Sequence, residues 1–530
     1  MHRTFLATSA LALAAGGALA QETSFNRIAS FGTYLNTGEA AGEERSAEII
    51  SATPDGMMLV YSDSPLEVVG MIDISDSANP QPAGTIALYG EPTAVSVLGG
   101  TVFVGINTSE SYTEPSGHLA HYVLETGELA ADCDLGGQPD STAVAPDGSF
   151  VTVAIENERD EDLGEGRVGQ MPGGFVAIIP LDGDGMMQCD AMVTADVTGL
   201  ADVAPEDPEP EFVDVSEAGE IAVTLQENNH IAILDASGEV VSHFSAGAVT
   251  LEGVDTEEEG AITFTDTLTD VPREPDAIQW IDNDHVVIAN EGDMDGGSRG
   301  FTVFRKDGTE VFESGLSFEY AVAEIGHYPE ERSGNKGVEP EGMEFGVFGG
   351  TPMLFLLSER GSVVGVYDMT DPAAPELTQL LPSGIGPEGA LAIPERNLFV
   401  VANEEDLIED GGVRAHVMIF ELGEGEPAYP QLTSAGLNED GMPVGWGAVS
   451  GMVAGEGDTV WFVNDSFYGM QPSIFEVDTS QTPARITDVI GITREGAPAQ
   501  LMDLEGITLD GEGNFFVASE GRLGRGILHA

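Results

Sequence analysis

One phrase recurs along this chain. A proline or apolar residue precedes an acid; then come a short apolar strand, a turn, a second apolar strand and another acid. The sharpest copy runs from Pro387-Glu388-Gly389 to Asn403-Glu404. Close variants run from Pro275-Asp276-Ala277 to Asn290-Glu291, from Pro340-Glu341-Gly342 to Ser358-Glu359, and from Leu504-Glu505-Gly506 to Ser519-Glu520. Further copies begin at Ser46, Glu91, Pro139, Pro210 and Gly445. Apolar runs of strand length dominate throughout, such as Val151–Ile155, Leu398–Ala402 and Phe515–Ala518, and long amphipathic helical patterns are nearly absent. A strand-turn-strand unit repeated at this interval marks an all-β protein and, among all-β folds, a β-propeller. The repeat length argues against a sandwich or a solenoid.

The spacing sets the organisation. From Pro92 to Pro139 is 47 residues, as is Pro340 to Pro387, and four strands use about 40–50 residues. The longer intervals carry polar insertions such as Asn157 to Pro172. Seven copies lie before residue 425, flanked by strand-like segments Phe25–Leu35 and His416–Leu422 that can pair to close a ring. The expectation is a seven-bladed propeller over residues 22–425. After the Gly-, Pro- and acid-rich stretch Gly423–Pro443, two more copies fill residues 426–530. Two blades do not close a ring. Either a second propeller-like region is only partial, which is the preferred reading, or one larger propeller holds every copy.

The 530 residues carry 92 Asp and Glu against 18 Lys and Arg, a formal charge of −74. Such a surface repels nucleic acid and anionic lipid and favours cations, or reflects life in salt. Residues 1–20 read as a secretory signal peptide, with His2 and Arg3 before an apolar run and Ala18-Leu19-Ala20 before Gln21. No later run is long enough to span a bilayer. A periplasmic or extracellular protein is expected, and there Cys133 and Cys189 are expected to pair as a clip between neighbouring outer strands.

A hairpin returns the chain to the side it left, so the two acids of each copy share one rim of the ring. Asp140 with Glu156, Glu211 with Glu227, Asp276 with Glu291, Glu341 with Glu359, and Glu388 with Glu404 are such pairs. Crowded carboxylates must bind cations, pair with Arg or Lys, or take up protons. The expected metal-binding rim comprises Asp276, Glu291, Asp293, Glu341, Glu359, Glu388 and Glu404, with Ca²⁺ as the ion. The plainer alternative is that each acid accepts backbone N–H groups of the next blade and staples the ring. Asn290–Gly297 looks like part of a Ca²⁺ loop but lacks the closing bidentate Glu. There is no H-E-x-x-H and no P-loop. No catalytic nucleophile is identified, and hydrolysis by a metal-activated water would need only the carboxylates.

Several segments resemble the bacterial secreted propellers called choice-of-anchor I, and the related mesenchyme-specific cell-surface glycoprotein-like proteins. They are Phe25–Asn36, Glu91–Ser109, Gly137–Asp162, Gln226–His230, Arg273–Phe304, Gly326–Gly342 and Ser358–Tyr367. Gly445–Ser466 and Asp503–Arg522 resemble the start of the phytase-like domain named for esterase-like activity of phytase. The resemblance implies a Ca²⁺-dependent phosphoesterase acting on phosphomonoesters, and it transfers no catalytic residue. The propeller phytases use Lys and Arg to bind phosphate, and this chain is poor in both. The other reading is a non-catalytic scaffold that binds a surface ligand, since the fold hosts many binding roles.

Overall fold

A computed structural model of the chain describes residues 23–36, 42–160, 163–164, 169–438, 441–499, 502–520 and 527–529. The signal-peptide segment, residues 1–20, lies outside the described residues. No helix among them is long and apolar enough to cross a membrane.

Local chemistry makes the hairpins. In Thr53-Pro54-Asp55-Gly56 and Ala145-Pro146-Asp147-Gly148 the glycine sits at φ 65° and 69°. The aspartate accepts an N–H two residues on, from Met57 and Ser149. That pairing of an Asx-turn with a left-handed glycine reverses a strand tightly. The adjoining strands are apolar on both faces: Phe150–Ile155, Ile221–Leu225 and Leu398–Asn403 are buried along their whole length. A strand buried on both sides needs a sheet packed against each face, and stacking sheets around an axis supplies this.

Seven four-stranded antiparallel sheets result. Their innermost strands are Ile50–Ala52, Glu91–Leu98, Pro139–Val144, Pro210–Val215, Ile278–Trp280, Pro340–Phe348 and Pro387–Ile393. Each of these touches the next, and the last returns to the first, so the sheets form a closed ring around a channel. The seventh sheet is completed from the other end of the described chain. Thr23–Gly32 pairs antiparallel with His416–Glu424. Phe25, 2% exposed, wedges this strand against Phe348, Phe355 and Phe399, with ring centroids 5.1, 5.3 and 6.3 Å away.

Cys133, on the outermost strand of the second sheet, is bonded to Cys189 beyond the third strand of the third sheet. The bond clips two neighbouring sheets and is worth about 2–4 kcal/mol.

Two insertions break the regularity. A hairpin of Ala248–Val254 and Asp266–Pro272 follows the fourth sheet, and a helix, Ser317–Glu324, follows the fifth. The chain from residue 429 onward docks on the end of that helix and the turn after it. Trp446 Nε1 donates to the Glu324 carbonyl at 3.0 Å, and Tyr429 Oη meets His327 Nε2 at 2.6 Å. This part consists of a five-stranded sheet, with the short strand Leu432–Thr433 added in parallel to Ala484–Gly491, a two-stranded ribbon, Thr493–Arg494 and Ala497–Pro498, and a three-stranded sheet, Leu504–Leu509, Phe515–Ser519 and Ile527–His529.

Candidate metal centre in the propeller channel

The inner strands share one register, which explains the recurring phrase. Regular pairing begins at Thr142↔Val153, Val213↔Val223, Met343↔Leu356 and Ala390↔Val401, in each case after a bulge that follows the proline. Ile50↔Tyr61 and Ile278↔Ile288 open the corresponding ladders, and Val95↔Val104 takes the same place in the second sheet. Two residues before each lies the channel position: Glu48, Thr93, Asp140, Glu211, Asp276, Glu341 and Glu388. A bulge re-aims a side chain out of the ladder, and it releases Asp140, Glu211, Glu341 and Glu388 from their sheets, while Glu48 and Asp276 precede the first pair of theirs. Six carboxylates and one threonine therefore ring the channel.

The next residue is set by packing between sheets. A Cβ on Gly342 would lie 2.0 Å from the Glu388 carbonyl oxygen, and one on Gly389 would lie 2.2 Å from that of Glu48. Glycine lets the next acid-bearing strand approach this closely. In the third sheet Ser141 takes that place, and its Oγ donates to the Glu211 carbonyl at 2.7 Å.

A second tier follows the second strand of each sheet. Three residues past the opening pair lie Glu156, Gln226, Glu291, Glu359 and Glu404, with Ser64 and Asn107 in the first two sheets. A cavity of about 180 Å³ is lined by Thr93, Asp140, Glu211, Asp276, Glu291, Glu341 and Glu388. An adjoining one of about 140 Å³ is lined by Glu156, Glu158, Glu209, Glu211, Glu227, Glu291 and Asp293, with Arg159 and Gln226.

Among the expected rim residues, the structure brings Asp276, Glu291 and Glu341 together, one carboxylate oxygen of each within 4.8 Å of the others. Glu388 and Glu404 share a hydrogen bond, as do Glu341 and Glu359. Arg360 Nη1 holds Glu359 at 2.8 Å. Asp293 lies apart from the trio, in the adjoining cavity. Its loop is folded around an anion: the N–H groups of Asp293 and Asp295 point to the Glu274 carboxylate at 2.6 and 3.0 Å. The part-Ca²⁺-loop pattern of Asn290–Gly297 thus serves a buried glutamate.

Stapling of neighbouring sheets falls to other acids. Asp214 Oδ2 accepts the Trp280 N–H at 2.7 Å, and Glu344 Oε1 accepts the Ala392 N–H at 3.0 Å. Both stand three residues after a channel acid and reach across to the next inner strand. Among the described residues, no such cross-strand backbone bond reaches the side chains of Glu211, Glu341 or Glu388. Glu227, Glu341 and Glu388 each keep one oxygen with neither solvent contact nor an N–H donor, Glu227 meeting the carboxyl of Glu209, and the Thr93 hydroxyl is buried without a partner.

The electrostatics follow from this crowding. Burial, then the charges of Asp140 and Glu158, holds Glu156 well above the usual carboxylate range. Burial and neighbouring carboxylates do the same for Glu211, Glu227, Asp276, Glu341 and Glu388. Burial and Glu158 push Asp140 up to about 7. Glu291 also stands at about 7, raised by burial and drawn back by Lys336. Lys336 Nζ lies 3.2 Å from Glu291, and Gln226 Nε2 donates to its other oxygen at 2.8 Å. Arg159 is committed to Glu209 and lies 3.7 Å from Asp207. The channel is thus a carboxylate-rich, oxygen-only donor set whose few bases are already paired. It can take up protons or hard cations.

Glu48 and Glu227 carry weaker signals in the sequence. Glu48 is flanked by Ala47 and Ile49, without the proline and glycine of the phrase, and only its register reveals it. By pairing, Gln226 is the counterpart of Glu156, and Glu227 is displaced by one residue toward the neighbouring cavity.

Residues 48–296 and 294–372 match the family described as Choice-of-anchor I domain, and residues 444–530 match the family described as esterase-like activity of phytase. No curated protein sequence matches the chain. Among solved structures, the chain is similar to Kuenenia stuttgartiensis hydrazine synthase at 14% identity, covering 72% of this chain and 96% of that one, with a TM-score of 0.45. Virginiamycin B lyase from Staphylococcus aureus matches at 10% identity, covering 76% and 100%, with a TM-score of 0.45. A β-propeller domain from Myceliophteria thermophila matches at 9% identity, covering 71% and 97%, with a TM-score of 0.43.

Proposed function

This chain belongs to the choice-of-anchor I domain family, and from that premise we propose that its channel is a calcium-class cation centre that serves hydrolysis of phosphate monoesters in an exported protein. The observation that carries this reading is the trio Asp276, Glu291 and Glu341, with ligand oxygens within 4.8 Å of one another and one Glu341 oxygen buried without a partner. The donor set fits a hard ion, which takes oxygen ligands at 2.3–2.6 Å. Neither His nor Cys lines the channel cavities, so softer metals are not favoured.

Asp276 and Glu341 come from the starts of adjacent inner strands, and Glu291 from the end of a second strand, so three points of a rigid ring hold the ligands. Lys336 and Gln226 fix the Glu291 carboxylate from either side. When bound, a hard divalent ion supplies Lewis-acid polarisation of a phosphoryl oxygen and a more acidic bound water. The match of residues 444–530 to the phytase-like family supports phosphate esters as the substrate class.

A non-catalytic cation-dependent binding module is the second reading. It is favoured by one observation: Lys336, Arg159 and Arg360 already lie on carboxylates, so a phosphate would depend on the bound ion for its positive partner. Assay of the mature protein against p-nitrophenyl phosphate and phytate, with Ca²⁺ or with chelator, decides between them. The expected result is Ca²⁺-dependent turnover that falls at least tenfold in Glu341→Gln. Calcium binding without turnover selects the binding module. Absence of both sinks the proposal.

A further inference from the structure

The channel contains a second convergence of oxygens that lies outside the expected rim. Glu156, Glu211 and Glu227 each place one carboxylate oxygen within 4.8 Å of the other two. We infer that these three form a second hard-cation site, separate from Asp276, Glu291 and Glu341. The inference shares with the proposed function only the premise that channel carboxylates bind cations, and it does not depend on hydrolysis.

Two sheets build this site. Glu156 leaves the second strand of the third sheet, Glu211 enters the inner strand of the fourth, and Glu227 follows that sheet's second strand. Ligands on adjoining rigid strands are held in place before an ion arrives. Any two of these oxygens, within 4.8 Å of each other, can share one ion at about the calcium distance of 2.3–2.6 Å.

An independent observation points to a ligand. Glu227 lines the 140 Å³ cavity, and its Oε2 has neither solvent contact nor an N–H donor, while its carboxyl meets that of Glu209. A carboxylate oxygen in that state is costly unless an ion or a proton completes it. The base facing the site is Arg159, which is engaged by Glu209 and Asp207. The other facing groups are Glu158, Glu209, Glu291, Asp293 and the amide of Gln226, so the surroundings add negative charge. Gln226 bonds to Glu291 and places a neutral amide beside both trios.

Access comes from one side. A cavity of about 440 Å³ shares Arg159 and Glu227 with the smaller one, and Val203, Pro205, Pro272 and Met294 give it an apolar wall. An ion at Glu227 would face this cavity, whereas the first trio faces the channel.

Calcium titration by calorimetry, with native mass spectrometry of the full mature chain, tests this in high KCl, which screens the exposed acids. The wild type is expected to bind two ions tightly. Glu227→Gln is expected to lose one and keep the other, as is Glu341→Gln, and the double variant is expected to lose both. The absence of any tight ion in the wild type overturns the second site, as does a Glu227→Gln variant with unchanged count and affinity. If Glu227→Gln alone loses an ion, the second site stands and the first trio falls. Should Glu227→Gln fail to fold by circular dichroism, Glu156→Gln carries the same expectation and the same overturning result.

Discussion

The same phrase is written into two parts of this molecule with different consequences. In the ring, inner strands close on one another, and the acids at their starts meet across a channel. Beyond residue 430, Leu504-Glu505-Gly506 repeats the local geometry, with an irregularity between Leu504 and Gly506 and close packing of Gly451 on Gly506. Its acids also cluster, since Asp503, Glu505 and Glu520 bring ligand atoms within 4.8 Å. Glu505 and Glu520 are nevertheless exposed, and the neighbouring strand offers Ser450, whose hydroxyl donates to Glu505 at 3.1 Å. Water and a hydroxyl do there what the ring leaves to protons or cations. A local motif thus acquires its electrostatics from closure: carboxylates are driven above their ordinary range where the ring removes solvent and gathers like charges.

The largest expected effect breaks the closure itself. Phe25→Ala removes a fully buried ring from the strand that completes the seventh sheet and should cost about 3–5 kcal/mol. Phe515→Ala, which removes a partly buried ring 4.9 Å from Trp461, should cost less. Denaturant unfolding of both variants measures this, and equal losses would erase the distinction between closed and open regions.

A smaller effect concerns the staples. Burial raises Glu344 to about 8 and Asp214 to about 6. A carboxyl whose folded pKa is raised holds its proton more tightly in the native state. Its contribution is therefore complete below the unfolded value near 4 and is lost as pH rises through the folded value. Stability should fall between about pH 4.5 and 8, by at most roughly 1.4 kcal/mol per pH unit for each such group. Glu344→Gln, whose amide oxygen can still accept the Ala392 N–H, should flatten that slope in chemical denaturation across pH. An unchanged slope would remove Glu344 as its source.

The smallest expected effect is in the open region. Glu505→Gln should change stability by no more than about 0.5 kcal/mol. It should also leave the difference in melting temperature between calcium and chelator as in the wild type. A loss of that difference, followed by differential scanning fluorimetry, would move the cation centre out of the ring.

Much of this was legible in the sequence because it is local. The Asp-Gly turns, the strands apolar on both faces and the Pro-acid-Gly steps at Pro340 and Pro387 each have a physical cause within a few residues. The all-β propeller follows from their repetition. Glu48 was not legible, because its copy lacks the flanking proline and glycine, and Thr93 breaks the acidic series without altering the fold. The channel acids and the staples were likewise indistinguishable: Glu341 and Glu344 lie three residues apart on one strand, and only a bulge sends the first to the channel and the second to its neighbour.

By itself the sequence determined the repeated unit, its length, its strands and turns, and the acid that opens each copy, since these rest on side-chain periodicity and backbone preference. Tertiary structure alone decided which acids meet. That depends on the register after each bulge and on strands hundreds of residues apart, as when Thr23–Gly32 closes the ring against His416–Glu424. Charge crowding is a property of that convergence, and no single copy of the phrase contains it.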